Sequence, residues 1–283
     1  MAAKQHLRER SSADLASSQP THSLTKMARL TFSLVRREVQ SRYRGSALGL
    51  IWSMVTPVLM LGVYTFVFGV VFKSRWTTSS EDAAPIEFAV ILFIGLIVFQ
   101  LMSETVIRAP TLIQSNVAFV KKVVFPLEVL VPVALGTALF HALVSLFILL
   151  PFIYFVFGHV PITGILLPLV WLPFLLLVAG LSWFLASLGT FVRDIGQFVG
   201  TVVTALLFLA PVFFPLSALP EWLQPWLILN PITIPIDQSR QVLIFGELPD
   251  WGLFGSYSAA GLITCLIGFF WFQRTRKGFA DVL

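Results

Sequence analysis

The sequence predicts an all-α membrane protein of six transmembrane helices, with an N-terminal amphipathic helix at the interface and short re-entrant helices between spans five and six. Three observations predict it. Hydrophobic residues make up 57% of the 283 and charged residues only 12%, at a mean hydropathy of +0.88. That is more apolar surface than one soluble core could bury, so the bilayer acts as the solvent. Six apolar runs are long enough to cross ~30 Å of hydrocarbon at ~1.5 Å per residue. The Lys and Arg behind the net charge of +5 sit at the edges of those runs, where lipid head groups lie, rather than on a face that would fit nucleic acid.

Along the chain, residues 1–25 are polar and are expected to form a disordered cytoplasmic tail. Residues 26–283 then make a single transmembrane domain. Within its first segment Ala28, Phe32, Val35, Val39 and Tyr43 recur at helical spacing, with Lys26, Arg29, Arg36, Arg37 and Arg44 on the other side. This pattern fits a helix lying in the interface; the alternative is a basic flank that only orients the first span. The spans are expected at 47–72, 88–107, 127–150, 165–188, 198–214 and 251–272. The first is too long for a signal-peptide core and lacks a small-residue cleavage site, so it reads as a retained span.

With both termini inside, only Lys73, Arg75 and Arg240 of the 19 Lys and Arg fall on the outer side. Cytoplasmic segments hold the positive excess, so this orientation is the expected one. Trp52, Trp76, Trp251 and Trp271 lie near span ends, as interfacial anchors do. The outer segment between spans five and six is apolar yet broken by Pro215, Pro220, Pro225, Pro231 and Pro235. Proline removes a helical hydrogen bond and clashes with the preceding turn, so two short helices are expected, at 220–229 and 235–245. Such backbone survives at membrane depth when buried in protein or lining a watery cavity.

Several chemistries are missing. The middles of all six runs carry no Asp, Glu, Lys or Arg, unlike a transporter driven by protons or sodium. Glu104 and Glu128 fall near cytoplasmic span ends, within expected reach of water. His141 is the one ionisable residue near a midplane and is read as a packed, hydrogen-bonded side chain rather than a relay. No phosphate-binding loop, G-x-S-x-G or H-E-x-x-H motif occurs. The His are scattered and Cys265 stands alone, so no catalytic residue, metal site or cofactor is expected on this chain. A membrane glycosyl- or acyltransferase would need clustered acids or His at the interface, and only Asp194, Glu104 and Glu128 come near that.

The runs RYRGSALGLIWSMVTP, NVAFVKKVVFPLEVLVP, the Arg193-Asp194 pair, and PVFFPLSALPEWLQPWLILNPIT with the later Arg240 occur in order over residues 27–277. Together they resemble the permease subunits of ABC exporters for O-antigen, capsule and teichoic-acid polymers. The resemblance implies a homodimer in the bacterial inner membrane, paired with two copies of a nucleotide-binding ATPase that holds the ATP and Mg. The cargo it implies is a polysaccharide linked through diphosphate to undecaprenol. In that family the segments matching 27–43 and 108–122 meet the ATPase, which marks Arg108, Gln114, Asn116, Lys121 and Lys122. The segment matching 215–245 gates the exit. Ala210 departs from the family, whose members often carry Ser there. An exporter of drugs or other lipids with the same six-span plan is the alternative.

For that cargo Arg37, Arg42, Arg44 and Arg193 are the candidate diphosphate ligands. A guanidinium grips phosphate oxygens through two parallel hydrogen bonds and stays charged in any surroundings; the competing role is attraction to anionic lipid. Phe213, Phe214, Trp222 and Trp226 are candidate platforms for sugar rings near the exit, against the ordinary packing role of aromatics.

Overall fold

The computed structural model describes residues 20–72, 84–120, 125–216 and 220–283, all helices and turns with no strand among them. Helix α1 runs Pro20–Arg42 and α2 Trp52–Tyr64, which continues through the wider turns of Thr65–Val71. Then follow α3 (Ala84–Arg108), α4 (Leu130–Phe157), α5 (Leu167–Phe191), α6 (Ile195–Phe208), α7 (Gln224–Ile228), α8 (Thr233–Arg240) and α9 (Trp251–Thr275). Among the residues outside the described ones are Lys73, Arg75, Trp76, Lys121 and Lys122, and residues 1–19 of the expected tail.

Among the described residues five stretches are long and apolar enough to cross a membrane: Gly49–Val71, Ile86–Thr111, Leu127–Phe157, Ile162–Phe191 and Trp251–Val282. They correspond to expected spans one to four and six, and the chain is a multi-pass membrane protein. The fifth differs from its expected extent of 198–214. Helix α6 has 14 residues, roughly 21 Å at 1.5 Å per residue, and stops at Phe208. Pro211 supplies no N–H and disfavours helical geometry at Ala210, and the chain turns there, with Val212 N–H donating to Ala210 O at 2.7 Å.

Helix α3 is the axis of the bundle. In its most apolar stretch 78% of residues are buried, against 17% for Gly49–Val71 and for Trp251–Val282. Its Phe88–Phe99 stretch is apolar on every side, as a helix enclosed by others must be. The closest packing lies between α5 and α9. A Cβ at Gly268 would overlap the Gly180 carbonyl, one at Gly180 would overlap the backbone at Thr264, and one at Gly261 would sit 2.5 Å from Pro173 O. Lipid is as apolar as Leu, so helices in a bilayer associate through close packing, and small residues let the two backbones meet.

Helix α1 packs along α4, with Val35 filling the space above Gly136, where a Cβ would lie 2.7 Å from its Cγ2. This rotates the helix from its expected face. Val39 is buried and Val35 and Tyr43 are half-buried, but Ala28 and Phe32 are exposed. Glu38 takes a half-buried place instead, because Arg108 of α3 pairs with it at 2.5 Å.

The proline-broken segment folds into the protein. Regular helix in its first half is shorter than the expected 220–229, only α7, whereas α8 with the wide turns of Gln241–Phe245 matches 235–245. Asn230 Nδ2 donates to Leu206 O and Leu209 O at 3.3 and 3.1 Å, Tyr257 Oη donates to Pro231 O at 2.6 Å, and Trp171 Nε1 donates to Ser239 Oγ at 3.0 Å. Arg240, expected among the outer-side charges, is 2% exposed and donates to Ile91 O, Pro211 O and Val212 O at 3.2, 2.6 and 2.9 Å. Gly95 makes room for it, since a Cβ there would lie 2.9 Å from Nη2. Side chains thus satisfy carbonyls that the broken helices leave open.

Candidate functional site

The chain-breaking residues after α1 set up the site. Gly45 and Gly49, both at positive φ, carry the backbone round from α1 into α2, a conformation glycine adopts without a Cβ penalty. This places Arg42 and Tyr43 against Glu104 in the last turns of α3 and His141 within α4. Between α2, α3, α4 and α6 lies a cavity of about 540 Å3, within the ~300–1,000 Å3 usual for small-ligand clefts. Its walls mix aromatic faces (Trp52, Tyr64, Phe93, Phe99) with hydrogen-bonding groups (Thr56, Gln100, Ser145). At one end it meets Arg42, Tyr43, Glu104 and His141.

These four side chains form one network. Arg42 Nη1 donates to the Glu104 carboxylate, and lies 3.0 Å from His141 Nδ1. His141 Nδ1 is 3.0 Å from Glu104 Oε2, and Tyr43 Oη is 3.2 Å from His141 Nε2. With its proton on Nδ1 the imidazole donates to Glu104 and accepts from Tyr43; with the proton on Nε2 it accepts from Arg42 and donates to Tyr43. Burial, more than the opposed fields of Arg42 and Glu104, pushes the Tyr43 phenol up, so it keeps its proton. The Glu104 side chain is 8% exposed, not open to water as expected, while the Arg42 side chain is 44% exposed. His141 is packed and hydrogen-bonded as expected, but in a charged cluster rather than alone.

Of the candidate diphosphate ligands only Arg42 lines the cavity; Arg37, Arg44 and Arg193 are exposed elsewhere. The four candidate platforms are likewise not brought together there. Phe213 stacks with Phe68 and Phe208, with ring centroids 5.9 Å apart in each pair, Phe214 is half-buried, and Trp222 and Trp226 stand exposed on and beside α7.

The candidate coupling segment is tied into the bundle at two points. Arg108 holds Glu38 of α1, and Gln114 Nε2 donates to Gly189 O of α5 at 2.7 Å. Pro110 lies so close to Gly189 that a Cβ there would overlap the proline backbone. Asn116 turns back to Leu112 O at 2.9 Å, leaving Thr111, Ser115 and Ala118 exposed. A second ion pair at this end, Arg276 Nη1 to Glu128 Oε2 at 2.7 Å, joins α9 to the start of α4. No cluster of three or more metal-ligating side chains occurs among the described residues.

Sequence reasoning missed Glu104, Tyr43 and His141 as partners of Arg42. The signal available was a Glu near the inner end of one apolar run and a His within the next.

Comparison with known proteins gives the chain its kin. The family model described as ABC-2 type transporter matches residues 29–244. An O-antigen export system permease protein RfbA of Myxococcus xanthus is 28% identical over 255 residues, covering 89% of this chain and 94% of that protein. One of Klebsiella pneumoniae is 24% identical over 254 residues, covering 88% and 93%. A polysialic acid transport protein KpsM of Escherichia coli is 25% identical over 248 residues, covering 87% and 92%.

Proposed function

Because the chain belongs to the ABC-2 type transporter family, we propose that it is the membrane-spanning permease of an ATP-driven exporter for undecaprenyl-diphosphate-linked polysaccharide. The cavity carries this reading. It offers aromatic faces for the C–H faces of sugar rings, hydroxyl and amide groups for their hydroxyls, and Arg42 at one end for a phosphate. The relatives, named for O-antigen export and polysialic acid transport, support the same class of cargo.

One chain is not the whole path. A space of about 540 Å3 holds a sugar or two but not a passing polymer, and the spans with 17% burial present broad apolar faces. A homodimer with the path between copies meets both facts. Helix α6 completes six spans with the turn that follows it, and both termini lie in the cytoplasm of the bacterial inner membrane. Arg37, Arg44 and Arg193 then stand on the cytoplasmic approach and draw the anionic head towards Arg42, and α1 serves as the interface helix. Phe213, Phe214, Trp222 and Trp226 line the exit side.

Two copies of an ATPase supply the energy, with ATP and Mg bound there. They dock on 108–122, where Thr111 and Ser115 are exposed; Lys121 and Lys122 belong to the same stretch of sequence. Since Arg108 and Gln114 tie this segment to α1 and α5, a push on it reaches both. Gln114→Ala should leave ATP hydrolysis running while polymer moved per ATP falls several-fold, read by paired phosphate-release and vesicle-transport assays.

Purified complex in lipid should show ATP hydrolysis stimulated by lipid-linked oligosaccharide and not by hydrophobic drugs or simple phospholipids. Stimulation by drugs alone would replace the proposal with a drug-exporter function. Arg42→Lys keeps the charge but loses the fork. A charge-assisted bond is worth about 1.5–3 kcal/mol, so substrate-dependent stimulation should need roughly ten- to a hundredfold more substrate.

A further inference from the structure

Arg42, His141 and, through the imidazole, Tyr43 converge on a single carboxylate at the end of the cavity, that of Glu104. Resting on the reading that the cargo carries a diphosphate, we propose that this cradle is the diphosphate seat and that Glu104 is its built-in competitor. Glu104 fills the seat at rest and is displaced by a multiply charged head group.

The cavity separates this ion pair from the others. Arg108 with Glu38 and Arg276 with Glu128 also join helices, but none of those four residues lines the cavity. The Arg42 pair does, with the Arg42 side chain partly exposed. Its carboxylate is anchored from the wall opposite Arg42, on α3, so Glu104 can let go without unfolding α1. His141 Nδ1, 3.0 Å from Oε2, is placed to keep hold of the freed carboxylate.

The charges explain why a competitor is useful. Arg42 and Glu104 cancel, and besides His141 no other Lys, Arg, His, Asp or Glu lines the cavity. A phospholipid with one phosphodiester charge therefore meets little attraction. A diphosphate brings more charge and more oxygens for the guanidinium fork, enough to outbid a lone carboxylate. Selectivity comes from a repulsive element set against the abundant wrong lipid. Glu104 is in this sense a specificity-determining residue for the site.

The test uses the full chain in nanodiscs of zwitterionic lipid, with farnesyl diphosphate and inorganic pyrophosphate as probes. Glu104→Gln keeps the shape and removes the anion. It should bind farnesyl diphosphate about tenfold more tightly than the parent and become blockable by added phosphatidylglycerol, to which the parent is indifferent. Arg42→Lys should weaken binding in either background. Inorganic pyrophosphate should give the same rank order, since the seat reads the head group; a rank confined to farnesyl diphosphate would assign the effect to the tail and overturn the seat. Unchanged or weaker binding by Glu104→Gln at an unchanged unfolding midpoint would make the pair purely structural. Should that variant fail to fold, Glu104→Asp carries the test: its carboxylate falls a methylene short of Arg42, so affinity should rise in the same direction, and no rise overturns the proposal. No ATPase or polymer enters this measurement. Tighter binding by Glu104→Gln beside an exporter deaf to lipid-linked sugar would keep the seat and discard the polysaccharide.

Discussion

Gly268→Ala should strongly destabilise the folded chain. The added methyl would overlap the Gly180 carbonyl, which is backbone and cannot swing aside as a side chain would. Relief requires α5 and α9 to separate along their shared length, losing the contacts that hold α9 to the bundle. Overpacking of this kind costs about 3 kcal/mol, the upper end of its usual range, which is a large part of a typical folding free energy. The measurement is the unfolding midpoint of the purified protein, with its size-exclusion profile. Gly255→Ala, in the same helix with nothing within 4 Å of the added carbon, is the control and should stabilise slightly through its better helix propensity. If the two variants behave alike, the backbone contact between α5 and α9 is not what joins them.

The second large effect is expected at Arg240→Met, which keeps bulk and removes every donor. The carbonyls of Pro211 and Val212 lie where the chain leaves α6, and Arg240 serves both. Asp237 would also lose the adjacent positive charge that works against its burial. Removing one side of a buried charged network costs about 3–5 kcal/mol. The loss should appear as a lower unfolding midpoint and as new protease cleavage within 209–245, where α8 leaves its seat against α3. Arg240→Lys should recover only part, since one ammonium cannot span three carbonyls as the fork does. A midpoint unchanged in Arg240→Met would mean that the segment is held by Asn230, Tyr257 and Trp171 alone.

Long apolar runs were legible because length and composition suffice to find them, and five of the six expected spans correspond to long helices. The end of α6 was not, although Pro211 was in view, because an apolar run continues past the residue that breaks the helix. The face of α1 was misread at Ala28 and Phe32 for a related reason. Apolar periodicity carries no sign that Glu38 turns inward, since the Arg108 that pairs with it lies on another helix. Arg42 was singled out from its chemistry, but its partner His141 lies 99 residues away, and no local pattern joins them. The spacing of Gly261, Cys265 and Gly268 marks a stripe of small residues, yet nothing local says that Gly180 is what it meets.

The burial of α3 also bears on how the chain is made. Among the five described stretches long enough to cross a membrane, the one that holds α3 is the second to leave the ribosome, before most of the elements that enclose it. The Arg240 that donates to its Ile91 carbonyl comes 149 residues later, roughly 7–30 s at ordinary rates of synthesis. For that time lipid must stand in for protein along the side that α8 will cover. The stretch Phe88–Ser103 has no ionisable residue, so lipid can do so at little cost. A charge placed there would be opposed twice, first by the bilayer and then by the finished bundle.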